Sequence, residues 1–181
     1  MLNIFFIFAN SMQAYGIVMV ERIQKSIEII ADGLAQLQDT CYVVGSSALV
    51  LAGIELENID DVDLLTSNRD AAFLKQLWKT NRLDNYSPAH ADKFLSNFGR
   101  FKFDEILIEV MGELKVFHEN AWQILSINAW QEVVINEKVS VKIPTLTEQY
   151  RIFKLFGREK DLKKANLILQ QTKYIQPSNG N

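Results

Sequence analysis

A single cysteine, Cys41, rules out an internal disulfide, and its place in the apolar run of residues 41–44 suits a small buried thiol in a reducing cytoplasm. Three prolines and eight glycines among 181 residues leave no flexible linker, collagen-like period or low-complexity tract, and no internal repeat is present. Charge of one sign is scarce as well: a net charge of −3 supplies no broad basic field for nucleic acid. The two histidines, His90 and His118, have no Cys or His partner at zinc-ligand spacing and read as surface or loop residues. No G-x-x-x-x-G-K-[ST] phosphate loop and no G-x-S-x-G elbow occurs. Long hydrophobic runs are missing too. Residues 4–8 are apolar but too few to span a bilayer, and no positive segment precedes them, so neither a signal peptide nor a membrane anchor is expected. Residues 1–18 read as a peripheral segment or an over-extended start, with Met19 as the alternative first residue.

What is present is a core. With 48% hydrophobic residues, a chain of this length folds as one domain and can bury about 70% of its unfolded surface. Ile23, Ile27, Ile30, Leu34 and Leu37 recur at helical spacing and predict a helix over residues 20–38. Residues 41–44 fit a buried strand, Gly45-Ser46-Ser47 a break, residues 48–52 a short helix closed by Gly53, and residues 62–66 the next strand. Ser67 or Asn68 caps a helix over residues 70–79 that buries Phe73, Leu74, Leu77 and Trp78. The polar stretch 80–97, with Pro88, reads as a specificity-carrying loop over a sheet edge. Alternation over 98–103 and 106–111 about Asp104-Glu105 predicts an antiparallel hairpin, and 132–135 with 138–143 a second, turning at Asn136-Glu137. After Pro144, Leu146, Tyr150 and Phe153 mark one helix, Gly157 ends it, and Leu162, Ala165, Ile168 and Leu169 mark another. Trp78, Trp122 and Trp130 are assigned to packing rather than base stacking. The sum is an α+β domain with a mixed sheet flanked by helices and a helical C-terminal end.

Two short motifs carry chemistry. Asp61 and Asp63 are one residue apart in a strand, so both carboxylates leave the same face while Val62 and Leu64 anchor the other. Such a pair fits a sheet edge in water, or a cleft where a divalent cation and substrate phosphates offset the repulsion. Gly45-Ser46 lies between an apolar strand and a helix, where backbone N–H groups and a hydroxyl can receive phosphate; Ser46 or Ser47 as a plain helix cap fits equally. Together they point to a nucleoside triphosphate.

The run V-G-S-S-A-L-x-L-x-G over residues 44–53, followed by D-V-D-L over residues 61–64, resembles the signature of the nucleotidyltransferase superfamily, whose fold is shared with DNA polymerase beta. The short bacterial branch with toxin–antitoxin and abortive-infection nucleotidyltransferases is the most similar. The resemblance implies a catalytic domain over residues 19–144 with C-terminal helices over 145–181 packed on it. It also implies a third carboxylate flanked by hydrophobics, which Glu109 in Ile108-Glu109-Val110 matches, although an alternating strand would also place an ordinary outward residue there. Mg²⁺ or Mn²⁺ would sit on Asp61, Asp63 and Glu109. Gly45 and Ser46 would hold the triphosphate, with charge supplied by Lys154 and Arg158 in a C-terminal run similar to that branch's. Residues 138–164 carry eight Lys or Arg against three Asp or Glu, a local +5 that leaves −8 on the rest of the chain. Lys163 and Lys164 fit a solvated helix face as well as a site. The implied activity moves a nucleoside monophosphate to an acceptor hydroxyl on a tRNA, a protein or a small molecule, with pyrophosphate released. The implied partners are a nucleoside triphosphate and an antitoxin or toxin protein. This chain departs from the pattern twice: residues 47–60 make a gap of 14 between Ser46 and Asp61, and Asn58-Ile59 replaces an Arg-Thr pair. The alternative is therefore a catalytically degraded binding or regulatory module on the same fold.

Overall fold

The computed structural model describes the backbone of residues 2–84, 90–103 and 106–175, with side chains from 18 to 171 within those ranges. Its centre is a seven-stranded mixed sheet in the order β3-β4-β2-β1-β7-β6, with β5 paired to the far end of β4. The strands are β1 (Tyr42–Val44), β2 (Asp61–Thr66), β3 (Phe94–Lys102), β4 (Leu107–His118), β5 (Ala121–Ile124), β6 (Trp130–Asn136) and β7 (Val139–Pro144). β2 runs parallel to β4 and β1 parallel to β7, whereas the β1–β2, β3–β4, β4–β5 and β6–β7 pairs are antiparallel.

Alternation along the central strands sorts side chains into two cores. On one face Val43, Val62, Leu64, Phe101, Ile108 and Val110 meet α1 (Leu2–Leu34) through Ile23, Ile27 and Ile30, and α3 (Asn68–Leu77) through Ala71 and Leu74. Trp78 closes this core edge-on to Phe101 and Phe103, with ring centroids 5.3 and 5.2 Å apart. On the other face Val44, Leu49, Leu65, Leu114 and Val116 meet α4 (Leu146–Phe156) through Ile152, Phe153 and Phe156, and α5 (Glu159–Ile175) through Ala165 and Ile168. α2 (Gly45–Leu51) follows β1 and gives Ala48 and Val50 to the first core and Leu49 to the second. Asp70, buried at the start of α3, accepts from the backbone N–H groups of Gln38 (3.0 Å) and Asp39 (2.7 Å), which ties the chain after α1 to that helix.

The architecture is the expected α+β mixed sheet flanked by helices and ending in helix. Ser67 does cap α3, accepting from Asp70 N–H, and Gly157, at φ 66°, ends α4. Several expectations are corrected. α1 begins at Leu2, not residue 20, and ends at Leu34, because residues 35–39 turn to meet Asp70. Leu77 is exposed, while Leu74 and Trp78 are buried as expected. The expected 80–97 loop is shorter, since Phe94 already pairs with Val116 in β3; its residues 85–89, like the turn residues Asp104-Glu105, lie outside the described residues. β5 was not anticipated: a two-residue turn at Glu119-Asn120, both with positive φ, folds it back on β4 without the usual glycine. Trp122 and Trp130 are exposed rather than packed inside; Trp122 lies against Phe117 at 5.3 Å, and Lys142 sits 4.5 Å over Trp130. His90 is exposed, as expected, whereas His118 is half-buried at the end of β4; burial pushes the half-buried Cys41 thiol up to about 12, helped by Asp70. Among the described residues no helix is long and apolar enough to cross a membrane.

Candidate active site

Four adjacent strands bring one residue each to the same level of the second face: Val44 of β1 is paired with Asp63 of β2, Asp63 with Glu109 of β4, and Glu109 with Arg100 of β3. Asp61 lies two residues before Asp63 on the same side of β2. Val62, Ile108 and Phe101, the alternate residues, are buried in the opposite core, so the pleat leaves the charged row nowhere to turn but into the second face. There it forms the floor of a cleft of about 570 Å³. The walls come from Gly45 and Ser46 at the start of α2, from Asn58–Asp60, from Phe94 and Phe98 of β3, and from Arg158, Lys160 and Lys164 at the head of α5.

The two motifs read separately from the sequence touch each other. Gly45 has φ +69°, and a Cβ built on it would overlap the Asp63 carboxylate, so only glycine lets the turn pass over that acid. Neither serine acts as a helix cap: α2 starts without a side-chain cap, Ser47 Oγ donates to the Asp61 carbonyl at 2.6 Å, and Ser46 Oγ accepts from Lys164 Nζ at 2.6 Å. Ser47 thus fixes the start of β2 against α2, while Ser46 faces the cleft.

Electrostatically the floor is crowded with acid. Burial, then Asp61 and Glu109, push the Asp63 carboxyl up to about 8, against the opposing pull of Lys164 and Lys160. Burial also raises Asp61, with Arg100 the largest opposing influence, and burial followed by Asp61 raises Glu109, again opposed by Arg100. Arg100 Nε sits 3.0 Å from Glu109 Oε1, and both side chains are largely covered. Burial lowers Lys164, and Asp63 is the first influence holding it up. Arg158 lies in the cleft wall but is engaged: it binds both oxygens of the fully buried Asp161, at 2.6 and 2.9 Å, and stacks 4.7 Å over Phe94.

The cleft therefore brings together Gly45, Ser46, Asp61, Asp63, Glu109 and Arg158, but not Lys154, which is exposed on α4 and absent from the lining. Lys160 and Lys164, one helical turn apart on α5, line the cleft in its place. Lys163, between them, faces solvent and pairs with Glu159 at 2.8 Å. Arg100 was missed although a signal existed: a hairpin centred between residues 104 and 105 puts 100 opposite 109. Paired, half-buried acids this reluctant to ionise suit a hard divalent cation, which prefers carboxylate oxygens. Among the described residues no group of three or more Asp, Glu, His or Cys is gathered as a metal cage, so the fit is to the Asp61–Asp63 pair, with one oxygen of Glu109 taken by Arg100.

No protein-family model matches the chain, and neither does any curated protein sequence. Solved structures do. A candidate nucleotidyltransferase from Thermotoga maritima superimposes with a TM-score of 0.64 at 21% identity, over 81% of this chain and 92% of that one. The chain has the nucleotidyltransferase fold. The same fold is found in the lincosamide antibiotic adenylyltransferase LnuA, solved with lincomycin (TM-score 0.51, 13% identity, 80% of this chain and 95% of that one). It is found too in ANT(2″)-Ia, solved with adenylyl-2″-tobramycin (0.50, 11%, 82% and 88%). At these identities the likeness establishes the nucleotidyltransferase fold and leaves the chemistry to this chain's own residues.

Proposed function

We propose that this protein is a divalent-metal-dependent nucleotidyltransferase that moves a nucleoside monophosphate from a nucleoside triphosphate to an acceptor hydroxyl. The observation that carries this reading is the contact between Gly45 and Asp63, which makes the phosphate turn and the acidic pair one site. Asp61 and Asp63 would hold Mg²⁺ or Mn²⁺, which when bound supplies the charge neutralisation that in-line attack on an α-phosphate needs. Gly45 and Ser46 receive the β and γ phosphates, and Lys160 and Lys164 neutralise them from α5. The second carboxylate oxygen of Glu109 takes the acceptor hydroxyl's proton. The new bond joins the acceptor oxygen to the α-phosphorus, the bond from that phosphorus to the bridging oxygen breaks, and pyrophosphate leaves. Arg158 supports this arrangement by fixing the head of α5 through Asp161 rather than by contacting phosphate, and Lys154 lies too far round α4 to share the role. The cytoplasm supplies such nucleotides.

Purified protein incubated with each nucleoside triphosphate labelled at the α-phosphate, Mg²⁺ or Mn²⁺, and a cell extract tests the reading. Label transferred by the wild type and lost in Asp61→Ala and Asp63→Ala supports it; transfer undiminished in those variants removes it. The size of the labelled product separates tRNA, protein and small-molecule acceptors. LnuA and ANT(2″)-Ia, solved with antibiotic ligands, make a small molecule the first acceptor class to try. Resemblance to the toxin–antitoxin branch adds a partner protein to the proposal, tested by whether expression of the wild type, but not of Asp63→Ala, arrests bacterial growth.

A second reading is favoured by two observations: Arg100 occupies Glu109, and Asn58-Ile59 stands in place of Arg-Thr at the cleft rim. It is a binding or regulatory module that keeps the fold without turnover. Nucleotide and metal that raise the melting temperature while no label is transferred to any acceptor would favour it.

A further inference from the structure

Lys164 lies 118 residues from Ser46 in the chain, yet its ammonium donates to the Ser46 hydroxyl at 2.6 Å. That hydroxyl follows Gly45, whose Cα rests on the Asp63 carboxylate. Lys164 is mostly covered and sits over the Phe153 ring at 5.6 Å, so its charge is spent inside the cleft rather than in water. The other cations of the lining are differently placed: Arg100 is bound to Glu109 and Arg158 to Asp161. Asp63, lying against Gly45, thus feels the positive charge of Lys164 and, one turn earlier, of Lys160. We infer that Lys164 is the site's built-in counter-cation: in the metal-free protein it compensates the ionised, half-buried Asp63 and pins α5 to the phosphate turn through Ser46, and a divalent cation takes over that charge when it binds.

The first half of this inference needs neither metal nor nucleotide. Removing one member of a buried charge pair strands the other, whereas removing both does not. In EDTA-treated protein at pH 9, where the Asp63 carboxyl has lost its proton, Lys164→Met is expected to melt roughly 5 °C or more below the wild type. The double variant Asp63→Asn/Lys164→Met should regain most of that loss, and Lys164→Arg should lose little. If Lys164→Met does not fold alone, recovery of a folded double variant reports the same coupling. Additive effects of the two substitutions would overturn the pairing. The second half rests on the proposed metal-dependent reading. Saturating Mn²⁺ should raise the melting temperature of Lys164→Met by more than it raises that of the wild type, because the ion then meets an uncompensated acid. An equal or smaller rise, including none, overturns the exchange. Failure of nucleotide transfer would leave the metal-free cycle standing, so the two ideas fail separately.

Discussion

Gly45 is where backbone and chemistry are least separable. Its φ of +69° and the Asp63 carboxylate against its Cα mean that Gly45→Ala must both strain the backbone and displace the acid. The expected cost is about 1–3 kcal/mol of stability, read by denaturant unfolding, together with loss of nucleotide transfer. A fully active, equally stable alanine variant would contradict the contact. Asp63 itself gives a signed dependence on pH. Its carboxyl is held near 8 in the folded protein against an ordinary value near 4 when unfolded. Between about 4 and 8 the folded state keeps a proton that the unfolded state has lost, so this group's contribution falls as pH rises through that window and levels off above it. Melting temperatures of metal-free protein from pH 5 to 9 should decline less steeply in Asp63→Asn than in the wild type; parallel curves would count against it. The acidic pair could be found in the sequence because period-two alternation is local: Asp61 and Asp63 share a face in any strand. Lys164 could not, since only the docking of α5 on α2 brings it to Ser46.

α5 is the element on which the site's positive charge depends, and its first turn is built for stiffness. Asp161 is fully buried and takes the Arg158 backbone N–H as well as both guanidinium donors, while Arg158 lies over Phe94 of β3. Arg158→Ala leaves a buried carboxylate without its partner and is expected to cost about 3 kcal/mol or more by chemical denaturation. A loss under 1 kcal/mol would show that the pair is not structural. The same geometry separates two lysines that look equivalent in the sequence. Lys160→Ala should reduce transfer at least tenfold, whereas Lys154→Ala, on the outer side of α4, should stay within about twofold of the wild type; the reverse order would contradict the placement of the triphosphate. The basic character of residues 138–164 was legible as composition, but which lysines enter the cleft depends on helix rotation and on where α5 begins after Gly157. The edge elements were harder to read for a related reason. Trp122 and Trp130 have the side chains of a core, yet β5 and β6 lie at the sheet's margins and show them to solvent. The Glu119-Asn120 turn reaches positive φ without glycine, so β5 carried no turn signal.

At the scale of the molecule, the sheet divides labour between its faces. One core, formed by α1, α3 and Trp78, holds none of the cleft's charged row, so substitutions there act on stability alone: Trp78→Ala is expected to cost about 3–5 kcal/mol while leaving nucleotide affinity unchanged at temperatures where the protein is folded. The other face must stay open at one end, and that opening is where four strands align Arg100, Glu109, Asp63 and Val44. The α+β class, the two hairpins and the helical end were readable because apolar periodicity and turn residues are local. The extent of α1, the shortened loop before β3 and the Arg100–Glu109 pair were not, because each is decided by what packs across the sheet. A row of half-buried acids, a positive-φ glycine set against one of them, and lysines delivered by a braced helix are the observations on which the proposed phosphate and metal site rests. The most direct test is transfer from a nucleoside triphosphate labelled at the α-phosphate, in the presence of Mg²⁺ or Mn²⁺ and cell extract, comparing wild type with a folded Asp63→Ala variant. Label on an acceptor with the wild type and none with the variant is the predicted result; equal labelling by both proteins would contradict the account.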